Sequence, residues 1–238
     1  MSGAALGSAA RATSASLPIP VDVIDIAPWG RPGRDGSANG VYAEIFRRLG
    51  ELSGYKLDLR LTPIKRAVTE VGAGLAKATM MLERADLNNS AVVVGTVSTL
   101  ELEVWLPAGS PIKSLDQLSG KVVATLRGPA YHEEIDSNNR IVKIAVNGAV
   151  QQLEMLRQGR VDGALGVRQN FLVAMNRLGL NGSSFAEPVW LGSRRVLLWI
   201  SKDLAGSAFE LRMRAALNEL RSSGEIDRLI AQRVYTPQ

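Results

Sequence analysis

Residues 114–131, SLDQLSGKVVATLRGPAY, contain the pattern from which the fold class of this chain follows. The apolar run KVVATL predicts a strand, and Gly128 after it permits a tight turn. Pro129 then suits the first position of a helix, where no backbone N–H donor is needed. The stretch therefore predicts a strand followed directly by a helix, which is the first half of a βαβ unit.

The alternation of strands and helices continues on both sides of this stretch. Downstream, IVKIAV predicts the next strand, and Asn147 is the expected N-cap of a helix over Val150, Leu153 and Leu156. The other predicted elements, in chain order, are strand VDVIDIA, helix VYAEIFRRLGELSG, strand KLDLRLT, helix IKRAVTEVGAG, strands AKATMML, STLELEVWLPAGS and SRRVLLWIS, and two C-terminal helices parted by a glycine.

Two stretches share the order helix, glycine, strand at a shift of 85 positions along the chain. Gly74 in the first matches Gly159 in the second, and Lys77 matches Asp162. The match indicates two similarly built lobes, each a βαβ layer with a mainly parallel sheet. The Pro/Gly-rich segment near residues 107–111 is the expected boundary between them.

The composition excludes several classes of function. The net charge of +5 is spread along the chain, and only 5% of residues are aromatic, so we expect no binding to nucleic acid. The chain has no cysteine and one histidine, and it lacks the usual metal, nucleotide and nucleophile motifs, so we expect no metal and no cofactor. Residues 1–17 lack the apolar segment of a signal peptide, and we expect a disordered arm or signal remnant.

The single histidine, His132, is followed by Glu133 and Glu134. One interpretation is a helix start, because acidic residues complement the positive end of a helix. The other is a general acid or base for catalysis. We favour the helix start, since it needs only common capping chemistry.

Four residues are candidate ligand contacts on the chemistry of their side chains or backbone. Gly128 and Tyr131 stand at the expected helix start, where free N–H groups bind anions, although Tyr131 also suits a packing role. Trp29, in the loop after the first strand, suits either stacking on a ligand or filling the core. Arg84 offers a planar fork for a carboxylate, but an isolated arginine is more often a surface residue.

Four stretches together resemble bacterial periplasmic solute-binding proteins of the amino-acid-binding class. They are APWG with GVYAEIFRRLGELSG, the strand unit ending at Glu83 and Arg84, SLDQLSGKVVATLRGPAY, and ALNELRSSGEIDRLIAQRVY. The resemblance implies an α/β fold of two lobes, each a mainly parallel sheet flanked by helices, with two crossing hinge strands. It implies a discontinuous first lobe of residues 18–104 and 190–238, and a second lobe of residues 105–189.

The resemblance also implies how a ligand is held between the lobes. Trp29 would stack on it, Arg84 near Thr79 would clamp a carboxylate, and the backbone around Gly128 to Tyr131 would supply N–H donors. Arg127 belongs to a group of basic residues near predicted strand ends that favours an anionic ligand. The group comprises Arg31, Arg34, Lys65, Arg66, Lys77, Arg84, Arg127 and Arg168.

The chain departs from the family pattern at two places. The family usually has an acidic residue where Lys77 stands, and a second one in the region that Gly166, Val167 and Arg168 occupy here. The second of these acidic residues would grip an amino group. An ordinary α-amino acid is therefore not the expected ligand.

Three functions follow from this reading. The first is a monomeric periplasmic protein that traps a small polar or anionic solute, amino-acid-like or a carboxylate, for a membrane permease or a sensor. The second is an enzyme related to cyclohexadienyl dehydratase, with His132, Glu133 or Glu134 as acid or base. The third is a lobe pair that has lost its ligand and serves as a sensor or interaction module. We expect the first, and no catalytic activity.

Overall fold

The computed structural model describes residues 17–131 and 133–234, and its elements follow the expected alternation of strands and helices. The strands are β1 Ile19–Ile24, β2 Arg31–Pro32, β3 Ala38–Asn39, β4 Leu57–Thr62, β5 Ala78–Leu82, β6 Ala91–Trp105, β7 Val122–Leu126, β8 Val142–Val146, β9 Gly163–Val167 and β10 Val189–Ser201. The helices are α1 Val41–Ser53, α2 Ile64–Gly72, α3 Glu133–Asp136, α4 Ala149–Arg157, α5 Arg168–Leu178, α6 Ala208–Ser222 and α7 Glu225–Val234.

One eight-stranded sheet runs through the protein in the order β4-β1-β5-β10-β6-β9-β7-β8. The long strands β6 and β10 are antiparallel and occupy its centre. The parallel strands β4, β1 and β5 attach through β10, and β8, β7 and β9 attach through β6. We call the part built on β1, β4 and β5 lobe 1 and the part built on β7, β8 and β9 lobe 2. The α/β fold with two crossing strands is thereby confirmed.

The helices of lobe 1 bury the apolar faces that their spacing predicts. Val41, Ile45 and Leu49 on α1 are fully buried, and Gly54 ends the helix in the left-handed conformation. On α6, the buried face is formed by Phe209, Met213, Ala216, Leu217 and Leu220. Each fully buried aliphatic side chain contributes about 1.5–3 kcal/mol.

Lobe 2 has a smaller core of its own on one face of its sheet. Trp105 packs there against Phe171 and Phe185, with ring centroids 5.4 and 5.3 Å apart. The apolar residues on the other face belong to a cluster that continues into lobe 1 and includes Tyr131 and Val167. The two lobes are therefore in direct contact.

Two local predictions were wrong. Asn147 is not the N-cap of α4, because the helix begins one residue later with Gly148 at its cap, and no side chain caps it. Pro129 is not the first residue of a helix, because residues 129–131 are irregular and α3 begins only at Glu133. In both places the tertiary path of the chain overrides a local signal.

Two elements differ from those predicted. Helix α5 was not predicted from the sequence, and β6 begins at Ala91, well before the predicted start at Ser98. The predicted arm lies outside the described residues except for Leu17, which is exposed. Among residues 17–131 and 133–234, no helix is long and apolar enough to cross a bilayer. The predicted lobe boundaries fall near the end of β6 and the start of β10, and the division stays a prediction.

A buried carboxyl group lies between β1, β4 and α2. Asp22 is fully buried, and its Oδ1 accepts a hydrogen bond of 3.0 Å from the Thr62 hydroxyl. Arg60 lies 3.5 Å from Asp22 and 3.4 Å from Glu70. Oδ2 of Asp22 has no partner among the described residues. Burial, reinforced by the neighbouring charge of Glu70, raises the pKa of Asp22 to about 6.

Folding stability should therefore fall as the pH rises through about 6 because of Asp22. Folded Asp22 holds its proton in a pH range where the unfolded chain has lost it, so the folded state is favoured at the lower pH. When the pH is lowered from 8 to 5, we expect protonation of Asp22 to raise the free energy of unfolding by about 1 kcal/mol. Urea unfolding of wild type and Asp22→Asn at both values should show this difference.

Asp58→Asn is the matched control, since it removes an exposed carboxylate from the neighbouring strand β4. Lowering the pH from 8 to 5 should raise the unfolding free energy of wild type relative to that of Asp22→Asn. If this difference does not change with pH, or if it changes equally relative to Asp58→Asn, the assignment to Asp22 is refuted.

Candidate functional site

A small cavity lies between the lobes where the strand ends of β1, β5, β7 and β9 face each other. Its apolar lining is formed by Ile24, Ile26, Ile64, Met81, Leu82, Leu100, Leu126, Pro129, Ala130 and Val167. Polar atoms are brought to it by Trp29, Tyr42, Arg84, Tyr131 and Asn170. The volume of the cavity that water can occupy is about 40 Å³. This space suits a few waters and is far below the roughly 300–1,000 Å³ of pockets that hold small-molecule ligands.

The loop that carries Trp29 is held against the start of α1. The N–H groups of Val41 and Tyr42 donate to the carbonyls of Pro28 and Trp29, at 3.1 and 2.9 Å. Gly40, with φ of 111°, allows this approach, because a Cβ there would lie 2.6 Å from the Trp29 carbonyl oxygen. These bonds satisfy N–H groups at the helix start and fix the indole beside the cavity.

Trp29 joins the two lobes through a buried hydrogen bond. Its Nε1–H donates to Oδ1 of Asn170 on α5 over 2.7 Å, and its ring stacks on Tyr42 with centroids 5.1 Å apart. Trp29 is only 3% exposed. It therefore fills the gap between the lobes in this closed arrangement, while its face also borders the cavity.

Arg84 is a second contact between the lobes. Its Nε and Nη2 donate to the carboxylate of Asp86 at 2.6 and 2.7 Å, and its Nη1 donates to the carbonyl of Gly128 at 3.3 Å. The guanidinium holds the pKa of Asp86 below its usual range. Three of the five N–H donors of Arg84 are thus engaged, and two are left for another acceptor.

The segment after β7 closes the cavity from lobe 2. Gly128 has φ of 111°, and a Cβ there would lie 3.1 Å from the Cβ of Ile64 in lobe 1. The hydroxyl of Tyr131 accepts the N–H of Leu126 at 3.3 Å, and the N–H of Tyr131 donates to Asp136 at 2.8 Å. That amide is already satisfied by the protein itself.

The structure brings three of the six predicted site residues to the cavity: Trp29, Arg84 and Tyr131. Gly128 lies at its edge through its contact with Arg84. Thr79 is fully buried in β5, where its hydroxyl donates to the carbonyl of Asp22 at 3.0 Å. Arg127 is exposed and donates to the carbonyl of Ala145 at 3.3 Å. Neither of these two lines the cavity, and ligand contact by any of the six stays a prediction.

Of the eight basic residues that favoured an anionic ligand, only Arg84 lines the cavity. Lys77 pairs with Asp203 at 2.7 Å, Arg66 with Glu70 at 2.5 Å, and Arg168 with Glu103 at 3.0 Å. Three of these eight residues are therefore engaged in ion pairs away from the cavity.

Of the proposed acid or base cluster, only the side chain of Glu134 lies within the described residues. His132 lies outside the described residues, as does the side chain of Glu133, and Glu134 is exposed on α3. Within residues 17–131 and 133–234, no group of three histidine or acidic side chains is arranged to hold a metal ion.

Sequence reasoning missed two residues that shape the cavity, Tyr42 and Asn170. Tyr42 stands in the first turn of the predicted helix α1, directly after the loop that bears Trp29. Its closeness in sequence to that loop could have identified it as a residue near the site. Asn170 lies on α5, whose existence was not predicted, and a lone asparagine carries no signal of a partner 141 positions away.

Known proteins of similar fold support this architecture, although no protein-family model matches the chain. The probable amino-acid-binding protein YxeM of Bacillus subtilis (strain 168) is 23% identical over 206 residues, which is 82% of this chain and 75% of YxeM. A histidine kinase sensor domain with similarity to periplasmic binding proteins has a TM-score of 0.78 at 16% identity, covering 92% of this chain and 96% of that domain.

The solute receptor for L-cysteine of Neisseria gonorrhoeae has a TM-score of 0.75 at 16% identity, covering 92% of this chain and 91% of the receptor. At these identities the solved structures show the fold alone. The chain has the two-lobed fold of periplasmic binding proteins, and the resemblance stated from the sequence is confirmed.

Asn170→Ala should open the cleft. The substitution leaves the buried indole N–H of Trp29 without an acceptor, which costs the closed state about 1–3 kcal/mol. The radius of gyration from small-angle X-ray scattering should therefore increase. Asn176→Ala, an exposed change on the same helix, is the control and should leave it unchanged. Equal radii for all three proteins would show that this bond does not hold the lobes together.

Gly128→Ala should also separate the lobes, for a steric reason. The added methyl group strains the backbone and meets Ile64 across the cleft. Gly206→Ala, with φ of 71° and open space around its Cβ, controls for backbone strain without the clash. Both variants should melt at a lower temperature, but only Gly128→Ala should enlarge the radius of gyration.

Proposed function

We propose that this protein binds a small polar or anionic solute between its two lobes, either amino-acid-like or a carboxylate, for transport or sensing. The observation that carries the proposal is the interlobe cavity. It lies where the carboxyl ends of parallel strands from both lobes converge, which is where ligands bind in open α/β sheets. The named amino-acid-binding relative and the L-cysteine receptor support a solute of this class.

The central ribbon of β6 and β10 is the proposed hinge. Register shifts interrupt its ladder near Trp190, Val196 and Leu198, so the strands can bend there. In the closed arrangement the lobes touch through Trp29 with Asn170 and through Arg84 with Gly128. Opening would break these two bonds and expose the cavity, and a solute that contacts both lobes would favour closure.

The remaining features of this proposal are the lobe division and the cellular role. Lobe 1 comprises residues 18–104 and 190–238, and lobe 2 comprises residues 105–189. The protein acts as a periplasmic monomer that delivers its solute to a membrane permease or reports it to a sensor. Binding needs no covalent chemistry, and the described residues of the lining supply no carboxylate that could serve as an acid or base.

One observation favours a second candidate function, that of a sensor or interaction module that closes without ligand. The cleft is already filled by the side chains of the protein, since Trp29 occupies the gap and bonds directly to Asn170. The likeness to a histidine kinase sensor domain agrees with such a role. The two candidates differ in whether any solute stabilises the protein.

A thermal-shift screen of amino acids, carboxylates and other small solutes distinguishes the two candidates. A solute at 100 times its Kd should stabilise the protein by about 2.7 kcal/mol. For a chain of this size that corresponds to a rise in melting temperature of roughly 5–10 °C. Gly128→Ala should reduce the rise, because its lobes cannot close fully, whereas Gly206→Ala should retain it.

Mass spectrometry of the protein under native conditions and of the material released on denaturation complements the screen. A released small molecule would support solute binding and identify its class. If no solute in the screen stabilises wild type and none is released, the binding proposal fails and the ligand-free module is favoured.

A further inference from the structure

The hydroxyl of Tyr42 is a polar group at the cavity without a partner. Tyr42 is 2% exposed and lines the cavity, and its hydroxyl makes no hydrogen bond within the described residues. Burial raises the pKa of this phenol far above its usual range, so the group is a neutral donor at any physiological pH. The hydroxyl oxygen is not sealed from solvent, so a water can bind it in the cavity, and a ligand that accepts its proton would replace that water.

Tyr131 supplies a second donor from the opposite lobe. Its oxygen accepts the N–H of Leu126, but its own proton has no acceptor among the described residues. Arg84 adds the two N–H donors that Asp86 and Gly128 leave unused. Three side chains of the cavity therefore offer donors, and one of them is cationic.

Among the residues that the structure describes, the same cavity offers no counterpart for a cation. The described lining includes no aspartate or glutamate, and the rest of it is mostly aliphatic. An ammonium group placed there would lose its hydration without gaining a charged acceptor, which is strongly unfavourable. The donors favour a ligand with one end that accepts hydrogen bonds. The apolar walls favour a ligand body that makes none.

We infer that the solute of the cleft is a small monocarboxylate with an apolar body and without an ammonium group. The inference rests on the proposed function and narrows it to one of its two solute classes. The carboxylate accepts the hydroxyl protons of Tyr42 and Tyr131 and the free N–H donors of Arg84, and the body packs on the aliphatic lining. Since the closed cavity holds only about 40 Å³, the lobes must part to admit this ligand and must stay further apart around it than they are here.

Isothermal titration with matched compounds tests this inference. Isocaproate and hydrocinnamate are leucine and phenylalanine without their ammonium groups, and isocaproamide and hydrocinnamamide are their neutral counterparts. We expect at least one of the two carboxylates to bind at least ten-fold more tightly than the amino acid and the amide of the same body. Acetate, which lacks the apolar body, should bind more weakly still.

The outcomes separate this inference from the proposed function. If the amino acids bind as tightly as the carboxylates or more tightly, the inference is wrong and solute binding stands. The same holds if the amides bind as well, since charge then plays no part, or if only an unrelated solute stabilises the protein. If no solute of any class binds, both proposals fail.

Tyr42→Phe tests the role of the unpartnered hydroxyl. The variant should bind the carboxylate about ten-fold more weakly, the effect of one lost hydrogen bond of about 1.4 kcal/mol. Its melting temperature without ligand should be equal to that of wild type or higher, because the removed group has no partner to lose. Tyr55→Phe is the control, since Tyr55 lies in the same lobe against Phe209, outside the cavity, and should change nothing in binding. Unchanged affinity in Tyr42→Phe would overturn the role of this hydroxyl.

Discussion

The antiparallel ribbon of β6 and β10 is the constraint on which the rest of the structure depends. Its strands are paired from one end to the other, while lobe 1 attaches to β10 and lobe 2 attaches to β6. Because hydrogen bonds join both lobes to one ribbon, the lobes can move relative to each other only if the ribbon bends or twists. The cavity exists where the two halves of the sheet face each other across this ribbon, so its geometry follows from the pairing.

The closed cleft shows how the protein satisfies most, but not all, of the polar groups that closure buries. Trp29 and Asn170 satisfy each other, and Arg84 is held by Asp86 and the Gly128 carbonyl. Tyr42 has no such partner. Its hydroxyl is left for a water or for an acceptor supplied by a ligand, and such a ligand would stabilise an arrangement that holds it between the lobes. The protein thus satisfies part of the polar groups of the cleft by itself, and the donors left over favour a ligand that accepts hydrogen bonds.

Much of the fold was predictable because it rests on local patterns. The apolar spacing of α1 and α6 and the short apolar runs of β1, β5 and β7 specify their elements with little help from the rest of the chain. Helix α5 was missed although Phe171, Ala174 and Met175 follow helical spacing and are buried, so a local signal was present there. The cap at Asn147 was wrong because a suitable side chain does not by itself place the first turn of a helix.

The sequence by itself determined the two-lobed α/β architecture and identified Trp29, Arg84 and Tyr131 as residues near strand ends, because these follow from periodicity and from side-chain chemistry. Only the tertiary structure decided which polar groups are still available. Asp86 occupies part of the Arg84 fork, Asn170 binds the indole of Trp29, and the hydroxyl of Tyr42 lies unpartnered at the cavity. The physical reason is that hydrogen-bond satisfaction depends on partners far away in the chain, which local pattern does not encode.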